Sequence, residues 1–158
     1  MRLAPLFVLA LANLASAAET KPCPFCEIVA GTRPAAIVYH DPTVLAFMSI
    51  GARNAGHVLV IPVQHAENFL DLPPETARAM IAVAQKIAVA IKATDLPAEG
   101  LELKMNTGKA AGQSVFHAHL HVIPRFAAEP PPRTEKDPPV PLPELEVAAA
   151  KIRRALEP

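Results

Sequence analysis

Three histidines fall on alternate positions in HAHLHVIPR, residues 117 to 125, in a chain that has only six. At period two, His117, His119 and His121 project from one face of a β-strand, while Ala118, Leu120 and Val122 project from the other. A merely solvated strand face draws on threonine, lysine or glutamate. Imidazole instead brings proton transfer, metal binding and nucleophilic attack near neutral pH. The row therefore reads as a site that does chemistry on a strand whose other face packs.

The loop before it, NTGKAAGQS (106 to 114), is the second chemical feature. Gly108 and Gly112 let backbone N–H groups approach a phosphate, and Asn106, Gln113 and Ser114 add side-chain donors. The competing reading is an ordinary hairpin turn, in which such residues are common. The third feature is Cys23-Pro24-Phe25-Cys26, which holds both cysteines of the chain. Haem attachment needs a histidine after the second cysteine, where Glu27 stands. A thiol redox motif needs a strand ahead of it, and if residues 1 to 17 are removed as a signal the mature chain has only about five residues before Cys23, so this reading ranks third. Zinc and a plain disulfide rank ahead of it.

Elements that could position these groups follow from patterning. Residues 23 to 31 suggest a lead-in turn and helix. AAIVYH (35 to 40) and TVLAFMSI (43 to 50) form a hairpin about Asp41-Pro42, and GHVLVIP (56 to 62) is a third strand. Asp71 caps a long helix with Pro73-Pro74 in its first turn and Ala77, Met80, Ile81, Ala84, Ala88 and Ile91 at helical spacing. Residues 101 to 105 are a fourth strand and 115 to 123 a fifth. The order β, β, β, α, β, β predicts an α+β fold with an antiparallel five-stranded sheet and one long helix. Residues 127 to 143 carry seven prolines and read as an extended connector. Residues 144 to 158 then outline an amphipathic helix through Leu145, Ala148, Ala149, Ile152, Ala155 and Leu156.

With 158 residues, 51% hydrophobic and 19% charged, the chain suits one globular domain, here 18 to 126. Fifteen basic and fifteen acidic residues leave no electrostatic footprint for nucleic acid or an anionic membrane. Arg2, an apolar run and Ala15-Ser16-Ala17 describe a secretory signal over residues 1 to 17. The apolar run is too short for a span, so no membrane association is expected after cleavage. That places the mature chain in the periplasm or outside the cell; a misassigned start codon would make it cytoplasmic instead.

HAHLHVI, with GQSVF before it, GHVLVIP at 56 to 62 and His65, resembles the histidine-triad (HIT) superfamily, in particular its bacterial members that begin with C-x-x-C. The resemblance extends from Cys23 to Arg125. It implies the HIT-type sheet, a homodimer, and a hydrolase or transferase of nucleoside phosphoramidates or phosphoanhydrides. In that chemistry His119 attacks the α-phosphate to form a nucleotidyl-histidine intermediate that water resolves. By the same resemblance His121 and His57 assist, and Ser114 stabilises phosphate or protonates the leaving group. Asn106, Gln113 and Gly112 lie against phosphate. Cys23, Cys26, His65 and His117 form a closed structural zinc site, with a disulfide as the alternative that an oxidising compartment offers.

Two positions depart from the family pattern. Ser49 stands where an acidic or amide residue holds the ribose, and Gln64 replaces a lysine. A hydroxyl holds the ribose less strongly than a carboxylate. The competing function is therefore a zinc-stabilised module that binds a phosphorylated ligand without turning it over. A thiol oxidoreductase ranks behind both.

Overall fold

The computed structural model describes residues 23–52, 54–130 and 136–157. Residues 1 to 17, expected to be a secretory signal, lie outside them. Among the described residues no helix is long and apolar enough to cross a membrane.

The elements are α1 (Pro24–Val29), β1 (Ile37–His40), β2 (Val44–Met48), β3 (Val58–Pro62), α2 (Pro74–Lys92), β4 (Gly100–Met105), β5 (Leu120–Arg125) and α3 (Leu142–Leu156). All strand pairs are antiparallel, in the order β1-β2-β3-β5-β4. The expected α+β fold with a five-stranded antiparallel sheet is the one observed.

β2 and β3 are buried along their whole length, because both faces of the sheet are covered. Val44, Ala46, Met48, Val58, Val60, Ala118, Leu120 and Val122 pack against α2 and α3 in the main core. On the opposite face Leu45, Phe47, Leu59 and Ile61 pack with Phe25 of α1 in a second, smaller core. This two-sided burial explains why β2 and β3 read as continuous apolar runs rather than alternating ones.

Three local expectations are corrected. Asp71 does not cap α2: Pro73 holds that position without a side-chain bond. The Asp71 carboxylate instead accepts from the Asn68 amide and closes a 3₁₀ turn over Phe69–Asp71. The buried stripe of α2 is Met80, Val83, Ala84, Ile87, Ala90 and Ile91, while Ile81 is exposed. Apolar residues surround this helix, so the helical period fits more than one stripe. The third correction concerns the last helix: α3 begins at Leu142, with Pro143 in its first turn, where a missing N–H costs no bond.

The loop between β2 and β3 is tied down at several points. The Asn54 side-chain amide donates to the Pro124 carbonyl at 2.6 Å, and the Ser49 amide donates to the His57 carbonyl at 3.0 Å. Gly56 has φ +88°, and a Cβ there would meet Pro124 Cγ at 3.1 Å and Leu96 Cδ1 at 3.2 Å. Both the backbone and the space thus call for glycine immediately before His57.

Candidate active site and metal centre

β5 as a hydrogen-bonded strand starts at Leu120, not at residue 115, so His117 and His119 precede it. The chain leaves the ladder there because the Ala118 amide donates to the Ala66 carbonyl at 2.7 Å. The alternation nevertheless persists: Ala118, Leu120 and Val122 lie in the main core, and the three histidines gather on the other face.

His119 is 4% exposed, and its Nδ1 lies 2.7 Å from the His117 carbonyl oxygen. A carbonyl only accepts, so Nδ1 carries the hydrogen and Nε2 keeps its lone pair. Burial holds His119 below its ordinary histidine value, with the bond to His117 opposing. A buried neutral imidazole with a fixed tautomer is a nucleophile at neutral pH.

His121 pairs across the strands with His57, Nδ1 to Nε2 at 2.9 Å. Leu59 lies opposite His121 in the β3–β5 register, so this is a diagonal neighbour contact. Burial first, then the charges of His119 and Lys104, bring His121 down to about 4, with Glu102 opposing. Between the ordinary histidine value of about 6.5 and about 4, the unfolded chain binds a proton that folded His121 refuses. Stability should therefore fall as pH drops through that window. His121→Gln should flatten the fall; urea midpoints measured from pH 7 to 4 check this, and identical slopes would refute it.

Ser49, 7% exposed, continues the phase of Leu45 and Phe47 beside His57. Ser114 is exposed. The Asn106 side-chain amide donates to the Gly112 carbonyl at 3.2 Å and joins the two ends of the glycine loop, where Gly108 and Gly112 both have positive φ. Gln113 is buried and fully engaged with backbone. Its oxygen accepts from the Gly108 amide at 2.7 Å, and its nitrogen donates to the carbonyls of Glu67 at 2.7 Å and Val115 at 3.0 Å. Its side chain thereby holds the loop in shape.

Cys23, Cys26, His65 and His117 present four ligand atoms within 4.8 Å of one another. The His117 Nδ1 atom lies 3.4 Å from Cys23 Sγ, 3.5 Å from Cys26 Sγ and 3.2 Å from His65 Nδ1, and Cys26 Sγ is 3.3 Å from His65 Nδ1. A tetrahedral zinc sphere spaces such atoms roughly 3.3 to 3.8 Å apart. His117 Nε2 donates to the Pro62 carbonyl at 2.9 Å, which leaves the Nδ1 lone pair facing the cluster. Lone pairs and sulfurs converging in this way suit a cation between them. In the chain itself burial, then the neighbouring Cys23 sulfur, push the Cys26 thiol up to about 11. Metal binding must therefore expel a proton from Cys26 at neutral pH.

Two residues of this site escaped the sequence reading. Phe25, between the cysteines, sets its ring edge-on to His119, with centroids 5.4 Å apart, and to His117 at 5.8 Å. Lys104 lies opposite His121 in the β4–β5 register. Its place on an alternating strand next to the histidine strand was the available signal; Phe25 offered only its position between two ligands.

The HIT domain family pattern matches residues 30–128. The chain is 47% identical over 104 residues to the protein named hit of Bacillus subtilis, covering 66% of this chain and 71% of that one. It is 38% identical over 104 residues to an adenylylsulfatase of Arabidopsis thaliana, covering 65% of this chain and 52% of that protein. A crystal structure of a zinc-bound histidine triad family protein from Mycobacterium smegmatis superposes with a TM-score of 0.73 at 40% identity, covering 85% of this chain and 92% of that one.

Proposed function

Because the chain belongs to the HIT family, we propose that it is a nucleotide hydrolase or transferase acting on the α-phosphate of a nucleoside phosphoramidate or phosphoanhydride. The observation that carries this is the 2.7 Å contact from His119 Nδ1 to the His117 carbonyl, which frees Nε2 for attack. The Nε2 lone pair bonds to phosphorus, and the bond to the leaving nitrogen or oxygen breaks. The departing atom keeps the bonding pair and takes a proton from the Ser114 hydroxyl or from solvent. Water then adds to phosphorus, the bond to His119 breaks, and the imidazole recovers its lone pair as the water proton departs. The His57–His121 pair offers an N–H to a phosphate oxygen beside His119. Release of AMP from adenosine 5′-phosphoramidate by the purified protein tests the proposal.

Zinc is the metal assigned to the Cys₂His₂ set, in line with its donors and spacing. Four protein ligands leave no open position for substrate, so its role is to hold the chain. The runner-up function is phospholigand binding without turnover, favoured by the hydroxyl of Ser49 in place of a carboxylate. Ligand-induced thermal stabilisation with no AMP released would select it.

A homodimer is proposed through β4. Among the described residues β4 pairs only with β5, and Leu103 of β4 and Ile81 and Val89 of α2 are exposed. A solution mass equal to that of a single chain would exclude it. Export to the periplasm or exterior, with a mature chain starting at Ala18, is proposed from residues 1 to 17. Recovery of Met1 from the native protein would return it to the cytoplasm.

A further inference from the structure

We propose that the Cys₂His₂ knot positions the nucleophile as well as fastening the N-terminal segment, through two contacts it makes to His119. The first runs through His117, whose ring joins the ligand cluster while its carbonyl oxygen accepts the His119 Nδ1 hydrogen at 2.7 Å. One residue thus serves the metal with its side chain and the nucleophile with its backbone. The His117 ring is held on its far side by the Pro62 carbonyl at 2.9 Å, so a metal on Nδ1 fixes it from both ends. With that ring pinned, the carbonyl that orients His119 has little freedom to turn.

The second contact is Phe25. It lies in the turn between the two cysteines, is 8% exposed, and its ring stands at 84° to that of His119 with centroids 5.4 Å apart. Phe47 of β2 backs the same ring at 5.3 Å. α1 has only six residues, too few to hold its shape unaided. Ligation of Cys23 and Cys26 on either side of Phe25 fastens the turn that presents it. The knot therefore sets both the hydrogen bond and the wall that select one orientation of His119. Phe25 and His117 are positioning residues in this account, and the inference rests on the reading of His119 as nucleophile.

The test is imidazole ¹⁵N NMR of the full mature chain, zinc-loaded and then stripped by chelator under reductant, beside kinetics with adenosine 5′-phosphoramidate. In the loaded protein His119 should give the pattern of a single Nδ1–H tautomer. In the stripped protein that pattern should broaden toward a mixture, and kcat should fall about tenfold or more with KM nearly unchanged. Zinc should restore both. Phe25→Leu, which keeps all four ligands, should show the same loss in kcat with zinc still bound, and Phe25→Tyr should rescue it. An unchanged His119 spectrum in a stripped protein that keeps its sheet would overturn the proposal. If stripping unfolds the sheet, Phe25→Leu decides, and a wild-type kcat and His119 spectrum in that variant would overturn it. Absence of turnover in the loaded wild type would refute the hydrolase reading alone, because the NMR comparison needs no substrate.

Discussion

His119→Ala is expected to lower turnover of adenosine 5′-phosphoramidate by at least about a thousandfold, a loss of about 4 kcal/mol in transition-state stabilisation. The reason is specific to this position. His119 has one nitrogen committed to a carbonyl and the other unprotonated, in surroundings that keep it neutral, and unlike His117 its unprotonated nitrogen is not turned into the Cys₂His₂ cluster. His121 is also neutral, but its Nδ1 is engaged with His57. His119→Ala should leave the sheet intact, since the main-chain carbonyl of His117 and the packing of Ala118 and Leu120 are untouched. Rapid-quench trapping of a phosphorus–histidine adduct in the wild type, absent from the variant, separates a nucleophile from a residue that only binds phosphate. Turnover reduced less than tenfold in the variant would remove His119 from that role.

The second large effect concerns stability. His65 is exposed, so on packing grounds alone His65→Ala should cost next to nothing. With a metal in the Cys₂His₂ set, removing His65 removes a quarter of its coordination. Zinc present at a thousand times its dissociation constant contributes about 4 kcal/mol. His65→Ala should therefore lower Tm by roughly 10 °C, and Cys26→Ser by a similar amount. A Cys23–Cys26 disulfide predicts something different: it would close a very short loop worth about 2 kcal/mol, and it would be indifferent to His65. Thermal unfolding of the two variants beside the wild type, with zinc and thiol content measured on each, distinguishes the cases. Equal Tm values for His65→Ala and wild type would end the metal assignment.

Much of this was legible in the sequence because it depended on local periodicity. Alternation put His117, His119 and His121 on one face, and that survives although the strand proper starts only at Leu120. The resemblance to the HIT family, more than spacing, pointed to Cys23, Cys26, His65 and His117 as the ligand cluster that the fold assembles. What escaped was decided by contacts between distant segments. Gln113 reads as a donor beside a phosphate loop, yet carbonyls from Glu67 and Val115 engage its amide. The stripe of α2 was misplaced by a residue or so because Ile81, Val83, Ile87 and Val89 encircle the helix. Only the side to which the sheet lies could choose between them. Phe25 carried no signal beyond its place between the two cysteines, and its contact with His119 exists only once α1 is laid across the sheet.

The two edges of that sheet are not alike. α3 packs beside β1 and sends Arg153 Nη1 to donate to the Ile37 carbonyl at 2.6 Å, and the β1–β2 register breaks between Ile37 and Tyr39. A backbone group that would greet an incoming strand is thus already taken, and the ladder there is uneven. β4 carries no such guard among the described residues. Under the proposed pairing through β4, strand addition would be self-limiting: two chains joined there would consume the open edge of both and leave only guarded ones, so growth would end at a pair and a fibre would have nowhere to start.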